Sequence, residues 1–340
     1  MSSNSQSLLP LWLVEKLVRN AFGAGVRILK VTEVAERMFS AVYAIKSIDA
    51  ISGFDEVILK IGMRPWKEIL TYEKGMMQTE LAVCRLLTQK AVPIPKVLYS
   101  DFSHTIVDCD YFFMEKPQGD TWEKLSAEMS FENRLQFEYE LGRCAAQIHS
   151  IKGPYFGYIM EDAACQFKTW REAFRSFIDN IIADGKREGA DLPYEKVMET
   201  LAPYWGLLDE IEEPSLVNYD MWGKNILLAK KDGMYAINGI MGHERSFYGD
   251  PVAEFIFIGM ACGGVEKALA FQKGYSEITG EPFVFTKNDR LRFCMYNVYM
   301  GLLMGVGIER YGDDGGKRFN EFCCLAINRA LGTLIQIGAE

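Results

Sequence analysis

The segment Leu216-Val-Asn-Tyr-Asp-Met-Trp-Gly-Lys-Asn-Ile-Leu-Leu228 places Asp220 five residues before Asn225, and an apolar run follows. An aspartate in such a loop can accept the proton of an attacking hydroxyl, and the asparagine can hold a metal ion against phosphates. The same two residue types are more often turn and capping residues, so the pair alone is weak evidence for chemistry. The neighbouring segments decide between these interpretations.

A hairpin and a second polar segment follow this loop. The runs Asn225–Lys230 and Met234–Ile240 are separated by Lys-Asp-Gly, which predicts two strands joined by a tight turn. The segment Gly239-Ile-Met-Gly-His-Glu-Arg-Ser-Phe-Tyr-Gly-Asp-Pro251 comes next. Its Asp250 and Pro251 predict the N-cap and the first residue of a helix.

The region before residue 120 predicts a small sheet. Strand-like runs, of which Glu56–Ile61 contains Lys60, alternate with turn-prone Ser, Asp and Gly residues. A helix predicted over Thr71–Gln89 carries Glu80. A strand lysine paired with a helical glutamate can bind nucleotide phosphates, although each residue alone is more often a surface charge. The apolar strand in Phe112–Gly119 ends in a Pro/Gly connection, which favours a hinge.

Charge and cysteine content exclude several classes of protein. The 37 Lys and Arg against 46 Asp and Glu give a net charge of −9, which disfavours non-specific binding to nucleic acid or anionic membranes. The eight cysteines form no C-x-x-C pair and only three histidines exist, which disfavours a structural zinc site. The N-terminus lacks a cationic start, and the longest apolar stretches, such as Phe255–Cys262 and Val298–Val306, fall short of a membrane span. We therefore expect a cytoplasmic protein without nucleic-acid or membrane partners.

Helices dominate the chain from Phe131 onward, interrupted by the predicted hairpin. The order of strand lysine, helix glutamate, hinge, long helix, Asp220 loop, hairpin and Gly-Asp-Pro helix resembles the aminoglycoside phosphotransferase family, within the protein-kinase-like fold. The matches run from about residue 26 to 260. The segments that carry the resemblance are Val92–Leu98, Leu141–His149, Leu216–Leu228 and Gly239–Pro251.

The resemblance implies an α+β, two-lobed fold. Its N-terminal lobe, residues 1–115, has an antiparallel sheet with helices and binds the nucleotide. A hinge follows at residues 116–119, and residues 120–340 form a mostly α-helical lobe for catalysis and substrate. The implied partners are ATP or GTP and a small-molecule hydroxyl substrate, either an aminoglycoside or another alcohol. The sequence does not predict an oligomeric state.

Several residues match the nucleotide-binding positions of the family. Lys60 resembles the phosphate-binding lysine, and Glu80 resembles its ion-pair partner. The segment Glu36–Ser40, which ends at Ser40, falls where a nucleotide-positioning loop is expected. Met114 and Lys116 resemble hinge residues that offer their backbone to a purine.

The catalytic loop departs from the family in one respect. Asp220 matches the catalytic base and Asn225 a metal ligand, but the usual His-Gly-Asp is replaced by Asn218-Tyr219-Asp220. An asparagine has both donors and acceptors and can substitute for the histidine in orienting the loop. Tyr219 is expected to add bulk beside the base.

The second departure concerns the metal. In the run Ile240-Met-Gly-His-Glu244, the metal-binding aspartate of the family is replaced by Gly242, which has no ligand atom. Loss of a Mg²⁺ anchor is expected to lower the phosphoryl-transfer rate by orders of magnitude. Glu244 and its neighbour His243 are the substitute metal ligands that the sequence offers, and Glu244 is alternatively an ion-pair partner of Arg245.

Three functions are compatible with the sequence. The first is a small-molecule phosphotransferase that moves a nucleotide γ-phosphate to a substrate hydroxyl, with Asp220 as base. The second is a pseudokinase that binds a nucleotide or another ligand without transfer, because of Gly242. The third is a different chemistry in the same site, or a structural partner protein.

Overall fold

The computed structural model describes residues 9–34, 40–62, 69–160, 162–308 and 314–340. The chain divides into two compact units. The first comprises Met1–Ile69 with Ile94–Gln118, and the second comprises Leu70–Pro93 with Gly119–Glu340. A sheet-rich first unit and a mainly helical second unit confirm the predicted α+β class.

The described residues of the first unit form one helix and five strands. These are α1 (Leu11–Phe22), β1 (Ile28–Glu33), β2 (Ser40–Ile51), β3 (Phe54–Gly62), β4 (Val97–Asp101) and β5 (Tyr111–Glu115). The strands form an antiparallel sheet in the order β1-β2-β3-β5-β4. Leu13 and Leu17 on the apolar stripe of α1 share a core with Leu59 and Phe113 of the sheet. Leu59 and Ile61 of the central strand β3 belong to this core, and the buried Lys60 lies between them in sequence.

The second unit contains the remaining elements. Its helices are α2 (Met76–Leu87), α3 (Trp122–Leu125), α4 (Phe131–His149), α5 (Trp170–Glu188), α6 (Tyr194–Leu201), α7 (Phe255–Cys262), α8 (Leu269–Thr279), α9 (Lys287–Ile308) and α10 (Asp314–Ala339). Its strands are β6 (Asp120–Thr121), β7 (Gly157–Tyr158), β8 (Ser215–Val217), β9 (Ile226–Lys231), β10 (Met234–Ile240) and β11 (Phe247–Gly249). They form two sheets of three strands, β10-β9-β6 and β7-β11-β8.

The hairpin forms where the sequence predicts it, but its turn is one residue shorter than the predicted Lys-Asp-Gly. Lys231 pairs with Met234, and Asp232-Gly233 form the turn. Both turn residues have positive φ, which matches the right-handed twist of a two-residue hairpin. The two small sheets thus bring three segments together: the loop after β8, the start of β9 and the segment that follows β10.

The unit boundaries differ from the lobes predicted from the sequence, because residues 70–93 group with the second unit rather than with residues 1–115. The Thr71 amide donates to the Asp184 carboxylate of α5 at 2.6 Å, and its hydroxyl donates at 3.1 Å. At the other end of the segment, the amide of Ile240 donates to the carbonyl of Pro93 at 2.8 Å. These bonds connect both ends of the segment to second-unit elements.

One predicted helix is shorter than expected. The spacing predicts a helix over residues 194–211, but α6 ends at Leu201 and a 3₁₀ helix continues over Ala202–Glu210. Pro203 lacks a backbone N–H and clashes with the preceding turn of an α-helix, which explains the change.

Helix α10 corrects the expectation that no segment has the length and apolarity of a membrane span. Its segment Arg318–Ala339 has 22 residues and reaches a mean hydropathy of 1.4, which meets the criterion by length and composition. Scattered polar residues such as Asn328 hide this property from a search for unbroken apolar runs. Cys323, Ile327 and Leu331 are buried at helical spacing where α10 packs along α9.

Candidate functional site

The loop between β8 and β9 is fixed to a buried carboxylate. The backbone N–H groups of Asn218 and Tyr219 donate to the two oxygens of Glu254, at 2.6 and 3.1 Å. Glu254 is fully buried and immediately precedes α7. Because both carboxyl oxygens accept from consecutive backbone amides, Glu254 fixes the path of the loop at these two residues.

Tyr219 lies differently from the sequence-based expectation. Its φ is +60°, in the left-handed region that a non-glycine residue occupies at a cost of roughly 1–2 kcal/mol. Its ring is buried against Phe247 and Tyr299, and its hydroxyl donates to the carbonyl of Tyr296 at 3.1 Å. The side chain therefore packs in the core, and the strained backbone positions the next residue.

Asp220 is oriented from both ends of the loop. Its N–H donates to the side-chain oxygen of Asn218 at 2.9 Å, so the asparagine takes an orienting role, as the sequence predicts. Asn225 donates its side-chain N–H groups to the Asp220 carbonyl at 2.9 Å and to Oδ2 of the Asp220 carboxylate at 2.8 Å. The carboxylate retains 14% of its exposure, so it is held but accessible.

The segment after β10 contributes the next residues of the site. Gly242 has a φ of +75°, and its carbonyl accepts from the side chain of Asn218 at 3.3 Å. His243 bonds to the same side chain at 2.7 Å through Nδ1, and its Nε2 lies 3.1 Å from the carbonyl of Ile240. If Nε2 donates to that carbonyl, Nδ1 accepts from the asparagine. Both ring nitrogens have protein partners, and this geometry gives the predicted role of His243 as a metal ligand no support.

Arg245 is a site residue that sequence reasoning missed. Its Nη1 lies 3.6 Å from Oδ1 of Asp220, and its guanidinium carbon lies 5.8 Å from the centre of the Tyr72 ring. Burial acts to lower the pKa of the guanidinium, but Tyr72, Asp220 and Glu244 raise that pKa above its ordinary value. One signal for it is present in the sequence, a cation three residues after Gly242, but the sequence pairs this cation only with the adjacent Glu244.

The described residues do not fit a magnesium ion. Mg²⁺ requires near-octahedral oxygen coordination, usually with one or two carboxylates. Gly242 supplies no ligand, Asn225 directs its amide nitrogen toward Asp220, and Glu244 is buried. No group of three or more His, Cys, Asp or Glu residues suited to a metal occurs among the residues that the structure describes. The assignment of Asn225 and Glu244 as metal ligands stays a sequence-based prediction, and this geometry gives it no support.

The predicted nucleotide-binding residues divide between the units. Ser40 and Lys60 are buried on β2 and β3, and Met114 is buried on β5 opposite Ile58. The Lys116 side chain forms an exposed ion pair with Glu56 at 2.8 Å. Residues 36–39 of the predicted nucleotide-positioning loop lie outside the described residues.

Glu80 belongs to the second unit, where it is buried on α2. Glu73, the other glutamate of the predicted helix Thr71–Gln89, uses its carboxylate to accept from the amide of Leu70 at 2.8 Å. The ion pair between Glu80 and Lys60 stays a prediction.

A family model gives independent information on the chain. The model of the phosphotransferase enzyme family, APH, matches residues 55–286. This range covers more than half of the chain and includes both the Asp220 loop and the segment around Gly242. No curated protein matches the sequence.

Solved structures share this fold. A candidate aminoglycoside phosphotransferase from Ralstonia eutropha JMP134 has a TM-score of 0.64 at 12% identity, covering 96% of this chain and 98% of that chain. A thermostable mutant of aminoglycoside phosphotransferase APH(4)-Ia, with AMP-PNP and hygromycin B, gives 0.61 at 15% identity, covering 94% and 98%. Aminoglycoside phosphotransferase APH(2'')-Ib, bound to ADP, gives 0.58 at 15% identity, covering 97% and 99%. At sequence identities of 12–15%, the similarity to these structures shows a shared fold and nothing beyond it.

Proposed function

The chain belongs to the phosphotransferase enzyme family, and from this premise we propose that it transfers the γ-phosphate of ATP or GTP to a hydroxyl of a small molecule. Asp220 acts as the general base. The observation that carries the proposal is the fixed pair of Asp220 and Asn225, 2.8 Å apart on a loop anchored by Glu254.

The reaction assigns a defined proton transfer to Asp220. The carboxylate accepts the proton of the substrate hydroxyl while the hydroxyl oxygen forms a bond to the γ-phosphorus. The bond from that phosphorus to the bridging oxygen breaks, and the nucleoside diphosphate leaves. Asn225 and Arg245 orient the Asp220 carboxylate, so that it faces the substrate hydroxyl in the same position in each catalytic cycle.

The nature of both substrates is supported by structures of the same fold. APH(4)-Ia was solved with AMP-PNP and hygromycin B, APH(2'')-Ib with ADP, and a further phosphotransferase of this fold, APH(2'')-IIa, with ATP and streptomycin. We extend nucleotide binding to this chain through Lys60, with Glu80 as its ion-pair partner and Met114 and Lys116 offering backbone to the purine. For the acceptor we propose the broader class of alcohols, because sequence identities of 12–15% do not transfer a substrate.

A panel assay tests the proposal. The purified chain is incubated with ATP or GTP and a panel of aminoglycosides, sugars and amino alcohols, and each acceptor is examined for the mass of one added phosphoryl group. For an accepted alcohol, Asp220→Asn should lower kcat by about 10²–10⁴-fold with a small change in KM. The control is Asp232→Asn, which alters an exposed aspartate of the hairpin turn and should leave kcat unchanged. Equal kcat values for the two variants would contradict the role of Asp220.

The pseudokinase is the second candidate, and a specific observation favours it. A Cβ atom at Gly242 would collide with Asn225, so the amide of Asn225 occupies the space of the missing side chain. If the protein binds nucleotide but phosphorylates no alcohol in the panel, it is a pseudokinase.

A further inference from the structure

The position that holds the metal in the family is filled by protein in this chain. A Cβ at Gly242 would lie 2.8 Å from Cγ of Asn225 and 3.2 Å from Oδ2 of Asp220, in addition to its collision with Nδ2 of Asn225. The group that takes the space is a hydrogen-bond donor directed at Asp220. The amide of Asn225 therefore occupies the space into which a side chain at position 242 would project.

A fixed positive charge lies beside the same carboxylate. Arg245 Nη1 is 3.6 Å from Oδ1 of Asp220, and the arginine side chain is 12% exposed. The Tyr72 ring, 5.8 Å from the guanidinium carbon, supports the side chain at a cation–π distance. The charge is therefore both placed and restrained.

A guanidinium is chemically suited to replace part of a metal's role. It carries five N–H donors in a planar fork that matches phosphate oxygens, and it stays charged at all physiological pH values. At a site largely removed from water, its attraction to an anion exceeds that of an exposed arginine. A magnesium ion contributes two positive charges to its nucleotide, so a nucleotide without metal presents more negative charge to the protein.

We propose that Arg245 is the cation for phosphate at this site, and that the site binds a phosphate-bearing ligand without a divalent ion. The proposal rests on the proposed function for the identity of the ligand, a nucleoside triphosphate. Metal-free nucleotide is then the preferred form, because Mg²⁺ neutralises the charge that Arg245 recognises and finds no ligand at Gly242.

Calorimetric titration with ATP tests this proposal on the full chain. The dissociation constant is measured once in EDTA and once with excess Mg²⁺. The expected result is binding in EDTA that is at least as tight as binding with Mg²⁺. Binding that requires Mg²⁺ would overturn the inference and leave the proposed function standing. No binding of ATP or GTP in either condition would overturn the proposed function as well.

A charge-balanced pair of variants isolates Arg245. Arg245→Gln alone leaves Asp220 without its cation and risks misfolding, so the comparison uses Asp220→Asn against the double variant Asp220→Asn/Arg245→Gln. If Arg245 binds phosphate, the double variant should bind ATP in EDTA at least tenfold more weakly than Asp220→Asn. If Arg245 only balances the charge of Asp220, the two variants should bind equally, which would overturn the inference. Arg171→Gln, at an exposed ion pair with Asp209, is the control for a general loss of positive charge.

Discussion

Asn225 donates its side-chain amide to the carboxylate of Asp220 at 2.8 Å, and the same nitrogen occupies the space into which a Cβ at Gly242 would project. Asp220, Asn225 and Gly242 therefore form one structural unit. Any side chain at position 242 would have to displace Asn225 from this position.

Gly242→Ala should lower the free energy of unfolding by more than the usual cost of placing alanine at a left-handed glycine position. An alanine at φ +75° costs roughly 1–2 kcal/mol in backbone conformation, and the collision with Asn225 adds to that cost. Urea unfolding measures the difference. The matched control is Gly263→Ala, at φ +73° with no atom within 4 Å of its added Cβ. Equal losses for the two variants would show that Asn225 moves aside freely.

The same collision applies to Gly242→Asp, the substitution that restores the family pattern. We expect this variant alone to gain no metal-dependent ATP binding, because its carboxylate cannot enter without displacing Asn225 from Asp220. Calorimetric titration of the variant with ATP and Mg²⁺ measures this. Tight, metal-dependent binding by the single variant would contradict our description of the site.

Glu254→Gln should destabilise the chain and loosen the catalytic loop. The neutral amide can accept from one backbone N–H group, but its NH₂ group faces the other, and a buried unsatisfied donor costs about 1–3 kcal/mol. Hydrogen exchange at the amides of Asn218 and Tyr219 should accelerate. Glu213→Gln, in a pair with Lys152 that is largely exposed, should change neither stability nor exchange at these amides.

At position 219, substitution by glycine should give a more stable protein than substitution by alanine, the reverse of the usual order. Both substitutions remove the buried ring, but at φ +60° glycine is free of the left-handed penalty that alanine retains. Tyr219→Gly is therefore expected to be more stable than Tyr219→Ala by about 1 kcal/mol. At Phe174, buried inside α5, the order should be the usual one, with alanine more stable than glycine. Chemical denaturation of the four variants measures both orders, and the same order at both positions would contradict the strain at Tyr219.

The cysteines should differ in their reaction with a thiol reagent at pH 8. Burial raises the pKa of Cys144 and of Cys262 to about 12, so each has little thiolate. Cys165 and Cys324 are partly exposed and should react first in the native chain. Mass spectrometry after timed labelling gives the order, with the denatured chain as the control in which all eight thiols react. Rapid native labelling of Cys144 would contradict the packing of α4.

The sequence predicted those parts of the site that depend on local order. The hairpin and the spacing of Asp220 and Asn225 are local patterns, and the structure has both, although the hairpin turn comprises Asp232-Gly233 without Lys231. Arg245 could not be assigned in the same way, because its neighbours Asp220 and Tyr72 come from distant segments.

Two further differences have the same origin in tertiary packing. Residues 70–93 precede the predicted hinge in sequence, but their hydrogen bonds to Asp184 and Ile240 place them in the second unit. Tyr219 was expected beside the base, and the left-handed backbone directs its ring into the core instead. Neither the spacing of apolar residues nor a sequence motif predicts these two tertiary contacts.

Thermal unfolding of the unmodified chain tests the central claim most directly. The midpoint is measured without nucleotide, with ATP in EDTA, and with ATP and excess Mg²⁺. A ligand at a hundredfold excess over its dissociation constant stabilises the folded state by about 2.7 kcal/mol, which raises the midpoint. We predict a rise with ATP in EDTA that is equal to or larger than the rise with Mg²⁺. A rise that requires Mg²⁺ would contradict the claim that this site binds phosphate through Arg245 in place of a metal.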